Sequence, residues 1–216
     1  MFSIIIDAMP LLAEAALGTL FYSAVSLLLG FPIGVCIALG SFQKNIFLKG
    51  FSRLFVSFFR SVPLLVLLLI CYYALPSAGF NTTATQASII ALVVVEAAYI
   101  GEVIRGGLNA MPKSQVEAAK MLGLTKLHRL RHIVMPNILR LTLPSLVNEG
   151  TMAVKASSLV SAIGILELTR VSQNIAAATF KPLEIYLTAG IIYLIINTLI
   201  ILGGNIAEKK LSKGQI

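Results

Sequence analysis

The stretch AALGTLFYSAVSLLLGFPIGVCIALG, residues 15–40, decides what kind of chain this is. It carries no charge, and a bilayer core needs roughly 20 consecutive apolar residues to be spanned by a helix. A second uncharged run lies between Arg60 and Glu96, too long for one helix. The polar patch PSAGFNTTATQ, 76–86, divides it into spans at about 55–75 and 87–107. A last span, IYLTAGIIYLIINTLIILGGNIA, covers 185–207. The expected class is therefore an all-α integral membrane protein forming a single domain over residues 1–216.

Composition agrees. Of 216 residues, 57% are hydrophobic and 12% charged, and mean hydropathy is +0.91. A soluble domain of this size cannot bury so much apolar surface. The net charge of +8 does not point to nucleic acid, because the basic residues form no polar patch. They fall in the gaps between apolar runs. Cys36 and Cys71 both sit in apolar runs and read as buried packing residues. The beginning, MFSIIIDAMP, lacks a basic region and cleavage site, so the first span reads as retained.

Segment 133–166 is unlike the other spans. It contains Pro136, Pro144 and Gly150 and carries Arg140, Glu149 and Lys155. Such a helix suits the interior of a bundle or a water-filled path, as a broken fourth span surrounded by the others. The following ELTRVSQNIAAATFKPLE, 167–184, reads as an amphipathic or irregular segment at one membrane face. Five spans put the termini on opposite sides. Lysine and arginine set the orientation: 14 of 17 fall in the gaps 41–60 and 105–140 and in the tail at Lys209, Lys210 and Lys213. By the positive-inside rule the N-terminus is outside, the C-terminus inside, and 109–132 is a cytoplasmic loop.

That loop holds SQVEAAKMLGL, 114–124, a helix of about two and a half turns. Ser114 and Glu117 fit a capping box. Gly123 fits a left-handed C-cap. Val116, Ala119 and Gly123 form a face of small side chains. A helix this short is marginal alone in water. It rests either on the lipid surface or in a protein groove, which Ala-Ala-Gly suits better.

These residues carry a resemblance. EAAKMLGLTKLHRLRHIVMP, 117–136, resembles the EAA loop of ATP-binding-cassette importer permeases. GTLFYSAVSLLLGFPIGVCIAL, FFRSVPLLVLLLICYYALPSAG, AAYIGEVIRGGLNAMPKSQVEAA and KASSLVSAIGILELTR are similar, in the same order, to segments of the polar amino-acid uptake branch. The resemblance implies the type I importer permease fold (MetI-like) in a bacterial inner membrane. It also implies a second permease subunit, identical or homologous, two cytoplasmic ATPase subunits that use ATP and Mg, and an extracytoplasmic substrate-binding protein. This chain itself binds no cofactor. On the same basis Glu117, Ala118, Ala119, Leu122 and Gly123 are the ATPase-coupling residues. For Glu117 the helix cap and a contact to the ATPase compete.

The substrate path is expected to include Glu96, Tyr99, Glu149, Lys155, Ser157 and Ser158. Where many relatives carry Lys-Asp-Thr-Ser, this chain has Lys155, Ala156, Ser157 and Ser158. Val95 takes the place of an asparagine common in relatives. Intramembrane carboxylates are costly and therefore functional candidates. Glu96 or Glu149 is expected to face a cationic group of a polar amino acid; the alternative is a structural ion pair with Lys155. Other small solutes, such as an opine or a sulfur-containing amino acid, are alternatives. So is a membrane-embedded enzyme using Glu96, Glu149 and Lys155, or a passive channel, although both leave the EAA helix without a purpose. No phosphate-binding Gly-rich loop is present. His128 and His132 stand four residues apart, but Arg129 and Arg131 beside them would repel a metal ion.

Overall fold

Glycine lets the two innermost helices meet. In the computed structural model, which describes residues 2–212, α1 (Phe2–Gly40) runs parallel to α4 (Ala84–Ala110). Gly30 lies against Val93, Glu96 and Ala97, and Gly34 against Ala97, Ile100 and Gly101. A Cβ at Gly34 would stand 2.9 Å from the Ala97 carbonyl oxygen. Small residues at such seams let backbones approach closely, which is the main source of helix association in lipid. Lys213 and the side chain of Lys113, both counted above with the basic gaps, lie outside the described residues.

The element order is α1, α2 (Ile46–Ser61), α3 (Leu64–Ser77), α4, α5 (Lys113–Met121), α6 (Lys126–Arg129), a π turn (Leu130–Val134), α7 (Met135–Ser157), a 3-10 turn (Ser158–Ile163), α8 (Leu168–Thr179) and α9 (Pro182–Ser212). Helices α1, α4 and α9 are each long and apolar enough to cross a membrane; counting two bent pairs, the number is five. Helix α4 is central: 67% of its most apolar window is buried, against 22% for α9, whose flanks are free for lipid.

The sequence places one helix across 55–75; the structure places two, bent by 103° between α2 and α3. Pro63 is the cause. It has no N–H to donate, and it drives the preceding residue out of the helical region. Val62 is extended, at φ −86 and ψ 129. Asn45 caps α2 by accepting from the Phe47 amide at 2.9 Å. A capping box does occur in this chain, but at α4: the Gln86 amide donates to Thr83 Oγ1 and the Thr83 amide to Gln86 Oε1.

The expected break within 133–166 is milder than anticipated. Residues 126–163 run as one continuous rod, with a π turn just before Pro136 and a 3-10 turn ending at Gly164, φ +85. The π turn absorbs the amide that Pro136 lacks. The bend, 52°, comes after this, before α8. There Glu167, fully buried, caps α8 by accepting from the Thr169 amide at 3.0 Å and the Arg170 amide at 2.8 Å. The same carboxylate accepts from Thr19 Oγ1 on α1 at 3.3 Å and Tyr193 Oη on α9 at 3.0 Å. One side chain thus ties three helices.

Helix α7 runs antiparallel to both α4 and α9: Thr142 meets Gly107, Gly150 meets Ile200, and Val147 meets Gly204. Gly150, Thr151, Ala153, Val154 and Ser157 are buried in the bundle, while Pro144, Asn148, Met152 and Lys155 are exposed, so this span is only partly surrounded. The cysteines differ from expectation: Cys36 is exposed on the outer side of α1 and Cys71 is half-buried. An apolar run marks a span, but in lipid it does not mark the inward face.

Candidate functional site

The 103° turn at Pro63 points the end of α2 at the face of α4. Together with α7 these ends enclose a cavity of about 470 Å³. Helix α4 contributes Glu96 and Tyr99, three residues apart and so on one face. Helix α7 contributes Asn148, Glu149, Met152 and Lys155, at the spacing of one helical stripe. Helix α2 contributes Arg60.

Four of the six expected path residues, Glu96, Tyr99, Glu149 and Lys155, are brought together here. Ser157 and Ser158 are not. Ser157 is fully buried and donates to the Val154 carbonyl at 2.9 Å; Ser158 donates to the Lys155 carbonyl at 2.6 Å. Both hydroxyls are spent on their own helix, a common fate of serine in apolar surroundings.

Neither glutamate forms the ion pair with Lys155 that the sequence left open; beside the cavity, Glu102 pairs with Arg60 and Arg105 instead. Glu96 is only 4% exposed, and its Oε2 has no hydrogen-bond partner. A buried polar atom left unpaired costs about 1–3 kcal/mol, more when charged. The wall of the cavity therefore carries a polar atom left without a partner.

Glu102 has no role in the sequence reading, and Arg60, just before Pro63, reads there either as snorkelling to the interface or as pairing with a carboxylate. Glu102 takes both Arg105 Nε at 2.8 Å and Arg105 Nη2 at 2.5 Å, one turn apart on α4. Arg60 approaches the same carboxylate at 3.8 Å and stacks over the Tyr99 ring, 5.2 Å from its centroid. The i, i+3 spacing of Glu102 and Arg105 was legible. The arrival of Arg60 depends on the bend at Pro63 and was not.

The second candidate region is α5. Its expected capping box does not form. The helix begins at Lys113, Pro112 is its N-cap residue, and no side chain caps it. Ser114 and Glu117 lie inside the helix, because it starts two residues earlier than expected, with Pro112 as its N-cap residue. The carboxylate of Glu117 is thereby released from the cap. The C-terminus is as expected: Gly123 has φ +74, its amide bonds the Lys120 carbonyl at 3.0 Å, and the Leu124 amide bonds the Ala119 carbonyl at 3.1 Å. This is the paired hydrogen-bond pattern of a Schellman stop.

The outward face of α5 differs from the small-residue face read in the sequence. Ala119 is 3% exposed and packs on its own chain, held there as Asn137 Nδ2 donates to Gln115 Oε1 at 2.7 Å. Outward lie Glu117 and Ala118, with Met121 at 90% and Leu122 at 80% exposure. His128 and His132 stack, with ring centroids 4.1 Å apart, and no third metal-ligating side chain joins them among the described residues.

Known proteins share both sequence and shape with this bundle. The chain is 36% identical over 205 residues to the nopaline transport system permease protein NocM of Agrobacterium fabrum, covering 89% of this chain and 84% of that protein. It is 35% identical over 205 residues to the probable amino-acid ABC transporter permease protein YckA of Bacillus subtilis, covering 95% and 91%. Its fold superposes on the crystal structure of an amino acid ABC transporter with histidines at a TM-score of 0.90, with 30% identity, covering 97% of this chain and 98% of that one. The MetNI methionine ABC transporter in an inward-facing conformation shares the fold at a TM-score of 0.77. The family model of binding-protein-dependent transport system inner membrane components matches residues 30–213. The chain belongs to that family and is a multi-pass inner-membrane permease subunit.

Proposed function

We propose that this chain forms one side of the translocation path of an ATP-driven importer of polar amino acids bearing a cationic group. One observation carries the reading: the cavity opposes carboxylates, Glu96 and Glu149, to the cations Lys155 and Arg60, with Glu96 Oε2 unpartnered. That arrangement suits a zwitterion. The carboxylate of the solute is drawn to Lys155 and Arg60, and its amino or side-chain cation to the glutamates. The relatives' names, for nopaline and amino-acid permeases, support the same class of solute.

Movement comes from partners. A pair of ATPase subunits, using ATP and Mg, docks on α5 through Glu117, Ala118, Leu122 and the turn at Gly123. Ala119 acts from within, by seating α5 on its own chain. A second permease closes the path, and an extracytoplasmic binding protein delivers the solute. The N-terminus is outside and the C-terminus inside, which puts α5 on the ATPase side; the distribution of lysine and arginine supports this.

The test is uptake by the complete complex in proteoliposomes. With Glu96→Gln and Glu149→Gln together, uptake of amino acids with a cationic side chain should fall at least tenfold while the ATPase still co-purifies. Unchanged uptake and substrate profile would overturn the reading.

A further inference from the structure

A second, larger cavity of about 650 Å³ opens on the other side of α2, where the C-terminal ends of α1 and α4 meet it. Four cations line it: Lys49, Arg53, Arg60 and Arg105. The only carboxylate among its lining residues, Glu102, is already held by Arg105 and approached by Arg60. Among the described residues, Lys49 and Arg53 have no ion pair. They stand four residues apart on one face of α2, with Ser41 and Asn109 at the cavity's edge.

The opposite face of α2 is aromatic and bare. Phe47, Phe51, Leu54 and Phe58 are each at least half exposed. The helix is therefore basic toward the cavity and apolar away from it, at the end of the bundle from which α5 also leaves. A helix of that kind lies at a membrane interface, with its apolar side among acyl chains. Basic pockets between membrane helices at such an interface accept anionic lipid head groups.

We propose that this cleft binds the phosphate of an anionic phospholipid, held by Lys49 and Arg53, at the level of the bilayer where the aromatic face of α2 is set among acyl chains. Charge complementarity selects the head group: two unpaired cations face a cavity with no free carboxylate. The aromatic face favours a lipid over a soluble phosphate, because it anchors α2 at the membrane interface and so sets the cleft at the depth of the head groups. Bound there, the lipid bridges α2 to α1 and α4 on the side away from the solute cavity, with Arg60 touching both.

The experiment is native mass spectrometry of the full-length chain, delipidated in detergent, titrated with phosphatidylglycerol, phosphatidylcholine or inorganic phosphate. The chain should retain phosphatidylglycerol in preference to phosphatidylcholine. Lys49→Gln with Arg53→Gln should weaken that retention about tenfold or more, since each cation near an anionic surface contributes severalfold. Lys120→Gln with Lys126→Gln, equal in charge but remote from the cleft, should leave it unchanged. Equal retention of the two lipids would overturn the proposal, as would equal loss in both double variants. Displacement of phosphatidylglycerol by millimolar phosphate alone would overturn it in favour of a free-anion site. Loss of the co-purifying ATPase in the Lys49/Arg53 variant, with lipid retention intact, would overturn it in favour of a protein contact.

Discussion

Arg60 on α2 and Glu102 on α4 come within 3.8 Å of each other, although a 103° turn and a whole further helix separate them in the chain. Glu102 also holds Arg105 through two hydrogen bonds, so one carboxylate positions two arginines, one on its own helix and one from across the turn. Arg60 then lies against both the solute cavity and the basic cleft.

Removing that carboxylate should affect transport more than stability. Exposed ion pairs contribute about 0–1 kcal/mol, and Arg60 is 40% exposed at its side chain. Glu102→Gln should lower the melting temperature by only a few degrees, while uptake falls at least fivefold because Arg60 is no longer held over Tyr99. Thermal unfolding in detergent and uptake in proteoliposomes, run in parallel, separate the two effects.

Straightening the α2–α3 turn should abolish transport. Pro63→Ala restores an amide that can donate into the preceding turn, and it releases Val62 from the extended region. Spin labels near Ile46 and Ser77 should move apart. An unchanged label distance would show that tertiary packing, not Pro63, sets the bend.

The α1–α4 seam should reject any side chain at Gly34. A Cβ there stands 2.9 Å from the Ala97 oxygen and 3.0 Å from the Gly101 nitrogen. Backbone atoms cannot yield, so Gly34→Ala should cost about 1–3 kcal/mol, and Gly34→Leu should prevent assembly. Gly50→Ala, where nothing lies within 4 Å, is the control and should be neutral or slightly stabilising. Thermal stability of the detergent-solubilised chain is the measurement.

Glu167 should prove one of the costliest single side chains to remove. Alanine there deletes the α8 cap and removes the acceptor of the buried Thr19 hydroxyl and one partner of the half-buried Tyr193 hydroxyl, a loss of about 2–4 kcal/mol. Tyr193→Phe should cost about 1 kcal/mol. Because the two share a hydrogen bond, the double variant should cost less than their sum, and a thermal double-mutant cycle reads the difference.

On α5, Leu122→Asp should leave the fold intact, since that side chain is 80% exposed, and should abolish ATPase co-purification. Gly123→Ala should cost about 1 kcal/mol locally, because φ is +74 and a Cβ is strained there.

Local chemistry was legible along the chain. Uncharged runs mark spans because lipid rejects charge. Thr125 stops one segment and starts another because its hydroxyl can cap, as it does for the His128 amide. Gly123 ends α5 because only glycine takes that backbone cheaply. Glu96 and Glu149 stood out because a carboxylate at membrane depth needs a reason. The capping box at Ser114 was misread for a local cause: Pro112 set the start of α5 two residues earlier, and a cap depends on register.

The rest was set by tertiary geometry. Which side of a span faces inward cannot be read where lipid and core are equally apolar, so Cys36 fell on the face opposite to that expected. Ser157 and Ser158 carry the right chemistry for a solute but turn back onto their own helix. Arg60 gained its partners only because Pro63 folds α2 across α4. The sequence by itself determined a helical membrane protein and its costly charges, because these follow from composition and spacing, and its resemblance to importer permeases added the expected coupling segment. Which of those charges meet, and across which cavity, only the packed bundle decided, because a contact between residues far apart in the chain depends on the angles at which helices cross and bend.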